Sequence, residues 1–332
     1  MTERTGSYVI GYRCVVCGAV YDTSFTGYVC PKHGNEGILD VLYDYEAAAR
    51  ECTPENFAAT RLHGSQNRQG MWRYRALLPL PLAALVPPLL VGGTPLYAAP
   101  RLAARMGVKH LCIKDDGRSP TASFKDRASA LAVSLARLQG ATVVATASTG
   151  NAAAALAGMS AAMQQPCVIF VPASAPAAKI AQLLTYGATV YTVQGTYDQA
   201  FELCMQACTR MGWYNRNTGY NPFMAEGKKT AAYELAEQLN WDVPDALFVS
   251  VGDGCIIAGM HKGFRDLKAL GLIDRVPRLY GIQAAGSDFM TQAFENNEDV
   301  LTKAPIEAST LADSICAGLP RDRVKAMAAV RE

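Results

Sequence analysis

The stretch Lys114-Asp-Asp-Gly-Arg-Ser-Pro-Thr-Ala-Ser-Phe-Lys-Asp-Arg127 is a loop that leads directly into a helix. Gly117 and Pro120 interrupt regular structure, and the Ala- and Leu-rich residues 127–138 favour a helix. Lys125 therefore falls near the helix start, where the helix dipole disfavours a protonated amine. A lysine held there can lose its proton and bond covalently to a carbonyl group. An ordinary surface lysine would show the same spacing, so the rest of the chain has to decide.

The composition is typical of one or two globular domains with a sizeable core. Of the 332 residues, 50% are hydrophobic and 18% are charged, and the net charge is +2. A charge this small predicts neither a nucleic-acid nor a membrane partner. Four prolines interrupt the apolar run 77–91, so it does not predict a membrane span. Ten cysteines without an export signal are more typical of thiols or metal ligands than of disulfides, which predicts a cytoplasmic protein.

The N-terminal residues contain a candidate metal site. Cys14 and Cys17 are separated by two residues, as are Cys30 and His33, and twelve residues lie between the two pairs. Each pair places two ligands on one turn, and two such turns complete the tetrahedron that zinc prefers. A site with four protein ligands would be structural rather than catalytic. The alternative is that these cysteines are only small buried residues. We predict a zinc-ribbon-like segment over residues 1–48.

Strand and helix patterns alternate from residue 109 to residue 260, which predicts βαβ units and a mostly parallel sheet. The strands are predicted near 141–146, 167–171, 189–193 and 246–251, and the helices near 123–139, 150–162, 179–186, 197–211 and 230–239. Ligands bind at the carboxyl ends of the strands in such sheets. The Lys125 loop and two further loops fall at these strand ends.

The two further loops are suited to anions. Ser148-Thr-Gly-Asn151 offers hydroxyl and backbone N–H groups at a helix N-terminus. Gly252-Asp-Gly-Cys-Ile-Ile-Ala-Gly259 is a glycine turn between a strand and a helix, which is typical of a phosphate cradle. Its spacing differs from the dinucleotide fingerprint and no acidic partner follows, so an NAD-dependent dehydrogenase is a weak alternative. The bend Gly92-Gly-Thr-Pro-Leu96 adds the Thr94 hydroxyl, which can contact a ligand or simply cap the turn.

A lysine at a helix start, an Asn-bearing anion loop and a separate phosphate loop together match pyridoxal 5'-phosphate (PLP). Ser119-Pro-Thr-Ala-Ser-Phe-Lys-Asp-Arg127 resembles the Asn-Pro-Thr-Gly-Ser-Phe-Lys-Asp-Arg signature of fold-type II PLP enzymes, the tryptophan synthase β-like superfamily. Within it the chain is most similar to the threonine synthase family. That similarity rests on Gly70-Met-Trp-Arg-Tyr-Arg-Ala-Leu-Leu-Pro79, Gly93-Thr-Pro-Leu96 and Asn221-Pro-Phe-Met-Ala-Glu-Gly-Lys-Lys-Thr230.

The resemblance implies an α/β fold with two doubly wound, mostly parallel sheets behind the N-terminal segment. We expect a large PLP domain from residues 49–130 and 218–332, and a small mobile domain from residues 131–217. The family's Ser or Thr that contacts the pyridine nitrogen is not recognisable before Glu332, so the large domain is predicted to be incomplete at its C-terminus. The expected partners are a small amino-acid substrate and a second copy of the chain in a homodimer.

The resemblance also implies residue roles. Lys125 would bond to PLP and then transfer protons. Further cofactor contacts are expected from Phe124, Asn151, Gly252, Asp253, Gly254, Cys255 and Ile256. Substrate contacts are expected from Thr94, Ser148, Thr149, Gly150 and Asn151. Asp126 and Arg127 are expected to orient the helix rather than to take part in the chemistry.

The implied reaction converts O-phospho-L-homoserine and water into L-threonine and phosphate. Two departures from the family pattern bear on it: Ala122 replaces a glycine, and Ala152-Ala-Ala154 follows Asn151 where hydroxyl residues often help hold the substrate phosphate. A cysteate synthase, a diaminopropionate ammonia-lyase or a serine/threonine deaminase therefore stays open as an alternative. A non-catalytic PLP-binding homologue is the alternative from a different class.

Overall fold

Strands and helices alternate along most of the computed structural model, which describes residues 7–63 and 68–332. The strands are β1 (Val9–Cys14), β2 (Val20–Tyr21), β3 (Leu39–Tyr43), β4 (Leu96–Ala98), β5 (Cys112–Lys114), β6 (Val144–Ala147), β7 (Cys167–Pro172), β8 (Thr189–Val193), β9 (Tyr214–Asn215), β10 (Ala246–Ser250) and β11 (Arg278–Ile282). The helices are α1 (Tyr45–Ala48), α2 (Pro54–His63), α3 (Pro100–Met106), α4 (Lys125–Leu138), α5 (Asn151–Ala162), α6 (Ala177–Thr185), α7 (Tyr197–Met211), α8 (Phe223–Gln238), α9 (Cys255–Ala269), α10 (Phe289–Glu295) and α11 (Arg323–Arg331). Short 3-10 helices cover Gly34–Glu36, Gly70–Leu77, Asp116–Arg118 and Asp313–Ile315. Within the described ranges, no helix combines the length and apolar character needed to cross a bilayer.

A four-stranded parallel sheet has the order β8-β7-β6-β9. Its two central strands, β6 and β7, are buried at every position. Helices α5 and α7 both contact these strands. Strands buried in this way are near-continuously apolar, which explains why the short hydrophobic runs in this region predicted a parallel sheet correctly.

The second sheet predicted from the sequence is smaller than expected among the described residues. β10 and β11 form a two-stranded parallel pair, while β4 and β5 form a separate antiparallel pair. Helices α9 and α11 pack against the β10–β11 pair. The Phe248 and Tyr280 rings stack 4.9 Å apart and are 61% and 42% exposed, so this pair is not buried like β6 and β7.

The N-terminal unit is a three-stranded antiparallel sheet with the order β2-β1-β3. It is joined to α8 and α9 by polar contacts: Tyr43 donates to Glu226 at 2.7 Å, and Lys262 pairs with Asp40 at 2.7 Å. Lys325 of α11 donates to the carbonyl oxygen of Leu39 at 2.8 Å. The unit is therefore docked on helices α8, α9 and α11, next to the Gly252–Ile256 turn that leads into α9.

Helix α8 lies at the centre of the molecule and is buried from Phe223 to Glu237. Glycines allow its close approach to both neighbours. A Cβ at Gly227 would lie 2.4 Å from the carbonyl oxygen of Arg127, and one at Gly259 would lie 2.9 Å from the Cβ of Lys228. This close packing of α4, α8 and α9 fixes Lys125, Lys228 and the Gly252–Ile256 turn relative to one another.

Candidate active site

A cavity of about 1050 Å³ opens between the four-stranded sheet and helices α8 and α9. The three loops singled out in the sequence all line it: Lys125 with Phe124, Ser148–Asn151, and Gly252–Ile256. The structure thus brings together residues that are more than 120 positions apart in the chain. This is the crevice at the carboxyl ends of parallel strands that the alternating pattern predicts.

Lys125 is the first residue of α4, as the sequence predicts. The backbone N–H of Lys125 donates a hydrogen bond to the Ser123 hydroxyl at 3.1 Å. One residue on, the Asp126 carboxylate accepts from the backbone N–H of Thr121 at 2.7 Å and from the Thr121 hydroxyl. These bonds turn the loop back on the helix start, so the direction in which Lys125 leaves α4 is fixed locally.

The Lys125 side chain is in an unfavourable place for a positive charge. Burial, followed by the positive charges of Lys228 and Arg216, lowers the pKa of Lys125 to about 8. At that pKa a substantial fraction of the amine is neutral near physiological pH, and a neutral amine can attack an aldehyde. The same cavity therefore places and activates the lysine.

A cluster of paired charges lies behind Lys125. Arg127, fully buried, pairs with Asp116 and Glu234, each at 2.8 Å. Thr94 belongs to this cluster: its hydroxyl donates to Asp116 and accepts from Arg127 at 3.2 Å. Thr94 is 3% exposed and lies outside the cavity lining, unlike the other residues expected to contact substrate. Its neighbours thus provide a structural reason for a threonine at this position.

The Ser148–Asn151 loop leaves the carboxyl end of β6. The Ser148 hydroxyl accepts from the backbone N–H of Gly150 at 3.1 Å, and Asn151 begins α5. The side chain of Asn217, on the neighbouring chain segment, accepts from the backbone N–H of Ala147 at 2.8 Å. The loop therefore presents N–H and hydroxyl groups to the cavity at a helix N-terminus, while Ala152, also in the lining, offers no hydroxyl.

The Gly252–Ile256 turn leads into α9 and has no room for side chains at its glycines. Gly254 has φ +89, and a Cβ there would lie 2.7 Å from the Cβ of Ala326. A Cβ at Gly252 would lie 2.9 Å from the Cα of Ile315. The turn therefore lines the cavity at the start of α9 with glycine backbone in place of side chains, which suits a phosphate group.

Two fully buried cations in the lining, Arg216 and Lys228, were not identified from the sequence. Arg216 follows β9 and is fully buried; its Nε donates to Ser129 at 3.1 Å and its Nη1 to Thr218 at 2.9 Å. Among the described residues, its Nη2 has no hydrogen-bond partner, and burial lowers the pKa of Arg216 to about 10. Lys228 lies on α8 and is 1% exposed. The polar run after Tyr214 was the available signal for Arg216, but β9 is only two residues long and shows no periodicity.

The N-terminal unit gathers the four predicted metal ligands. The ligand atoms of Cys14, Cys17, Cys30 and His33 all lie within 4.8 Å of one another. The His33 Nδ1 is 3.8 Å from the Cys14 sulfur and 3.6 Å from the Cys30 sulfur. An ion bound at about 2.3 Å from sulfur and about 2.0 Å from nitrogen spans tetrahedral edges of about this length, so the cluster fits zinc.

The similarity of the chain to known proteins supports a PLP-binding role for this cavity. Residues 88–332 match the model of the family described as pyridoxal-phosphate dependent enzyme. The chain belongs to that family. It is 37% identical to threonine synthase of Methanocaldococcus jannaschii over 320 residues, covering 96% of this chain and 76% of the relative. It is also 37% identical to threonine synthase of Methanosarcina acetivorans over 328 residues, with the same two coverages.

Solved structures show the same fold at lower identity. Threonine deaminase isoform 2 from Solanum lycopersicum superposes with a TM-score of 0.62 at 22% identity, covering 78% of this chain and 69% of that one. Diaminopropionate ammonia lyase from Escherichia coli superposes with a TM-score of 0.60 at 18% identity, covering 98% of this chain and 76% of that one. The expectation of a threonine synthase-like, fold-type II PLP-dependent lyase is confirmed.

Proposed function

We propose that the chain is a threonine synthase that converts O-phospho-L-homoserine and water into L-threonine and phosphate. The observation that carries the proposal is the 37% identity to threonine synthases over 96% of the chain. The cavity supports it, because a lysine with a lowered pKa and two loops suited to anions line one crevice. A substrate with a carboxylate and a phosphate group carries the two anionic groups that these loops are suited to bind.

The residues present fit PLP. Lys125 would bond to it, Phe124 would pack beside the ring, and Asn151 would hydrogen-bond the ring hydroxyl. The backbone of Gly252–Ile256, including Asp253, Gly254 and Cys255, would hold the phosphate at the start of α9. When bound, PLP withdraws electrons from the substrate and so makes its α-proton acidic.

The remaining roles belong to side chains and backbone groups of the chain itself. Ser148, Thr149 and Gly150, with Asn151, would bind the substrate carboxylate through their N–H and hydroxyl groups at the start of α5. Lys125 Nζ would accept the proton from the α-carbon and return protons later in the reaction. Its lowered pKa supports this role, because a base is most effective when its pKa lies near the working pH.

The test is a phosphate-release assay on the purified protein with O-phospho-L-homoserine and added PLP, coupled to detection of L-threonine. We expect Lys125→Ala to abolish turnover and the visible absorbance of lysine-bound PLP. Lys268→Ala removes an exposed lysine from the far end of α9 and should leave both unchanged. A wild-type protein that binds PLP but releases no phosphate would contradict the proposal.

A second candidate reaction is favoured by Ala152, which lines the cavity without a hydroxyl group. It is a β-elimination or β-replacement on a related amino acid, as in a serine/threonine deaminase, a diaminopropionate ammonia-lyase or a cysteate synthase. Formation of pyruvate, 2-oxobutyrate or cysteate without phosphate release would identify it. A PLP-binding protein that turns over none of these substrates would instead be a non-catalytic homologue.

We propose that Cys14, Cys17, Cys30 and His33 bind one structural zinc ion in a zinc-ribbon-like segment. Support comes from the clustering of the four ligand atoms and from the burial of Cys14 and Cys30. Elemental analysis should find one zinc per chain, and Cys17→Ser should lower that content and the melting temperature. Cys112→Ser replaces another exposed cysteine outside the cluster and is the matched control. A metal-free protein with unchanged stability would contradict the site.

We propose that the chain divides into the N-terminal segment 1–48, a large domain of residues 49–130 and 218–332, and a small domain of residues 131–217. The confinement of the four-stranded sheet to residues between Val144 and Asn215 supports this division. Limited proteolysis with and without substrate would test the mobility of the small domain. The family resemblance also supports a homodimer and a cytoplasmic location, and light scattering would test the homodimer.

A further inference from the structure

We propose that Lys228 is the positively charged partner of the cofactor phosphate, in addition to the backbone cradle of the Gly252–Ile256 turn. The inference rests on the proposed cofactor site and assigns a new residue to it. Lys228 is one of two adjacent lysines on α8, and the contrast between them is the first observation that points to a ligand.

Lys229, the next residue, is a structural lysine. Its Nζ lies 2.6 Å from Glu226 and 2.7 Å from Asp266, and 3.9 Å from the centre of the Tyr43 ring. Its buried charge is therefore compensated by the protein. Lys228 is just as deeply buried, at 1% exposed, yet in the described part of the chain no carboxylate lies within ion-pair distance of it.

The neighbours of Lys228 place it at the phosphate end of the cavity. It lines the cavity together with Cys255, the first residue of α9, and its positive charge acts to lower the pKa of the Cys255 thiol. Its charge also acts on Asp253 within the glycine turn and on Lys125. A phosphate held by the N–H groups at the start of α9 would therefore lie beside this ammonium group.

The charges of Asp253, Lys228 and a bound phosphate also balance one another. The glycine turn contains a half-buried carboxyl group, Asp253, which would repel a phosphate dianion without cations beside it; the positive charges that act on it are those of Arg321 and Lys228. An ammonium group buried without a counterion is costly, and binding of a phosphate offsets that cost while the ammonium offsets Asp253. Lysine is suited to this task because it binds phosphate as a compact point charge.

Apart from Lys125, Arg216 is the other cation of the lining that has no carboxylate partner among the described residues, but its position differs. Its Nε and Nη1 donate to the hydroxyls of Ser129 and Thr218, and its side chain is fully buried, with Nη2 left without a partner among the described residues. The charge of Arg216 acts on Lys125, while the charge of Lys228 acts on Lys125 and also on Asp253 and Cys255 of the glycine turn.

The experiment compares PLP with pyridoxal, which has the same ring and aldehyde but no phosphate. Both are titrated into cofactor-free wild-type protein and Lys228→Gln, with absorbance and fluorescence as readouts. Loss of a buried charged partner should weaken PLP binding at least about 30-fold and leave pyridoxal binding unchanged within about twofold. Lys228→Arg should recover part of the PLP affinity. Lys268→Gln, an exposed position on α9, should change neither.

Equal weakening of PLP and pyridoxal would overturn the proposal, because Lys228 would then act through the ring or through the fold. Unchanged affinity for both would overturn it as well. Thermal unfolding of each cofactor-free variant checks that it folds, and Lys228→Met, which also removes the charge, replaces Lys228→Gln in the comparison if the latter does not fold. Because the titrations use no substrate, a failure here is distinct from a failure to release phosphate from O-phospho-L-homoserine.

Discussion

Two groups of buried charges meet at the start of α4 and differ in their balance. In the Arg127 cluster, the cations Arg127 and Lys114 face the carboxylates Asp116 and Glu234 at 2.8 to 2.9 Å. The cavity cations that have no ion-pair partner among the described residues are Lys125, Lys228 and Arg216, and the half-buried carboxyl that acts on Lys125 is Asp253. Burial raises the pKa of Asp253, so even this negative charge is weakened.

The presence or absence of ion-pair partners separates structural buried charges from functional ones. A balanced cluster has its desolvation cost offset by the protein alone, and it holds α4, α8 and the Thr94 bend together. An unbalanced group leaves part of that cost for a ligand to offset. The excess positive charge of the cavity therefore indicates an anionic ligand, in agreement with the PLP-dependent family.

The largest effect is expected from breaking the balanced cluster. Glu234→Ala would leave Arg127 and Lys114 buried with one carboxylate between them, and would free the backbone N–H of Gly93. We expect a loss of about 3–5 kcal/mol in the free energy of unfolding, with or without PLP. Urea denaturation followed by circular dichroism measures it. Glu295→Ala, at the exposed end of α10, is the control, and an equally small change in both would refute the structural role.

The next effect is a pH dependence that belongs to the cavity cations. The pKa of Lys125 is lowered from 10.5 in a free lysine to about 8, so between these values the unfolded chain binds more protons than the native protein. Stability of the cofactor-free protein should therefore rise with pH from 8 to 10.5, by about 1–2 kcal/mol, and should be at its lowest level below pH 8. The slope should disappear in Lys125→Met, measured by urea denaturation at each pH. A wild-type curve parallel to that of Lys125→Met would show that Lys125 is not perturbed.

Removing a cavity cation should raise stability, whereas breaking the Arg127 cluster lowers it, so the sign of the effect distinguishes the two groups of charges. Lys228→Met keeps the side-chain length but removes an unpaired buried charge, so the cofactor-free protein should gain about 1 kcal/mol of stability. In the presence of saturating PLP the gain should vanish, because the variant binds the cofactor more weakly. Differential scanning calorimetry with and without PLP makes the comparison. If the cofactor-free variant were instead less stable than the wild type, Lys228 would be a structural charge that the protein itself compensates, like those of the Arg127 cluster.

The smallest effect concerns the loop that connects the two groups. Ala122 has φ +56, a left-handed conformation that costs a residue with a Cβ about 1 kcal/mol. Ala122→Gly should therefore raise stability by about 0.5–1 kcal/mol, less the added entropy of the unfolded chain. It should leave PLP affinity unchanged, since Ala122 is exposed and outside the cavity lining. A change in PLP affinity without a change in stability would show that the loop conformation differs.

Much of the fold was predictable because local patterns were strong. β8 and α7 have the bounds expected from the sequence, and Lys125 begins its helix as predicted. Helix α8 was predicted to begin at 230 but begins at Phe223. The charged residues Glu226, Lys228 and Lys229 lie in its buried first half, where partners from other elements, not periodicity, determine burial.

The sequence by itself determined the family and predicted the cofactor lysine and the two anion-binding loops, since these depend on short motifs at strand ends and helix starts. Only the tertiary structure decided which buried charges are paired. Arg127 and Glu234 are 107 positions apart, and Lys228 lies next to Lys229 in sequence but faces a different environment. Adjacent residues on a helix point in different directions, so their partners are set by the packing of α4, α8 and α9.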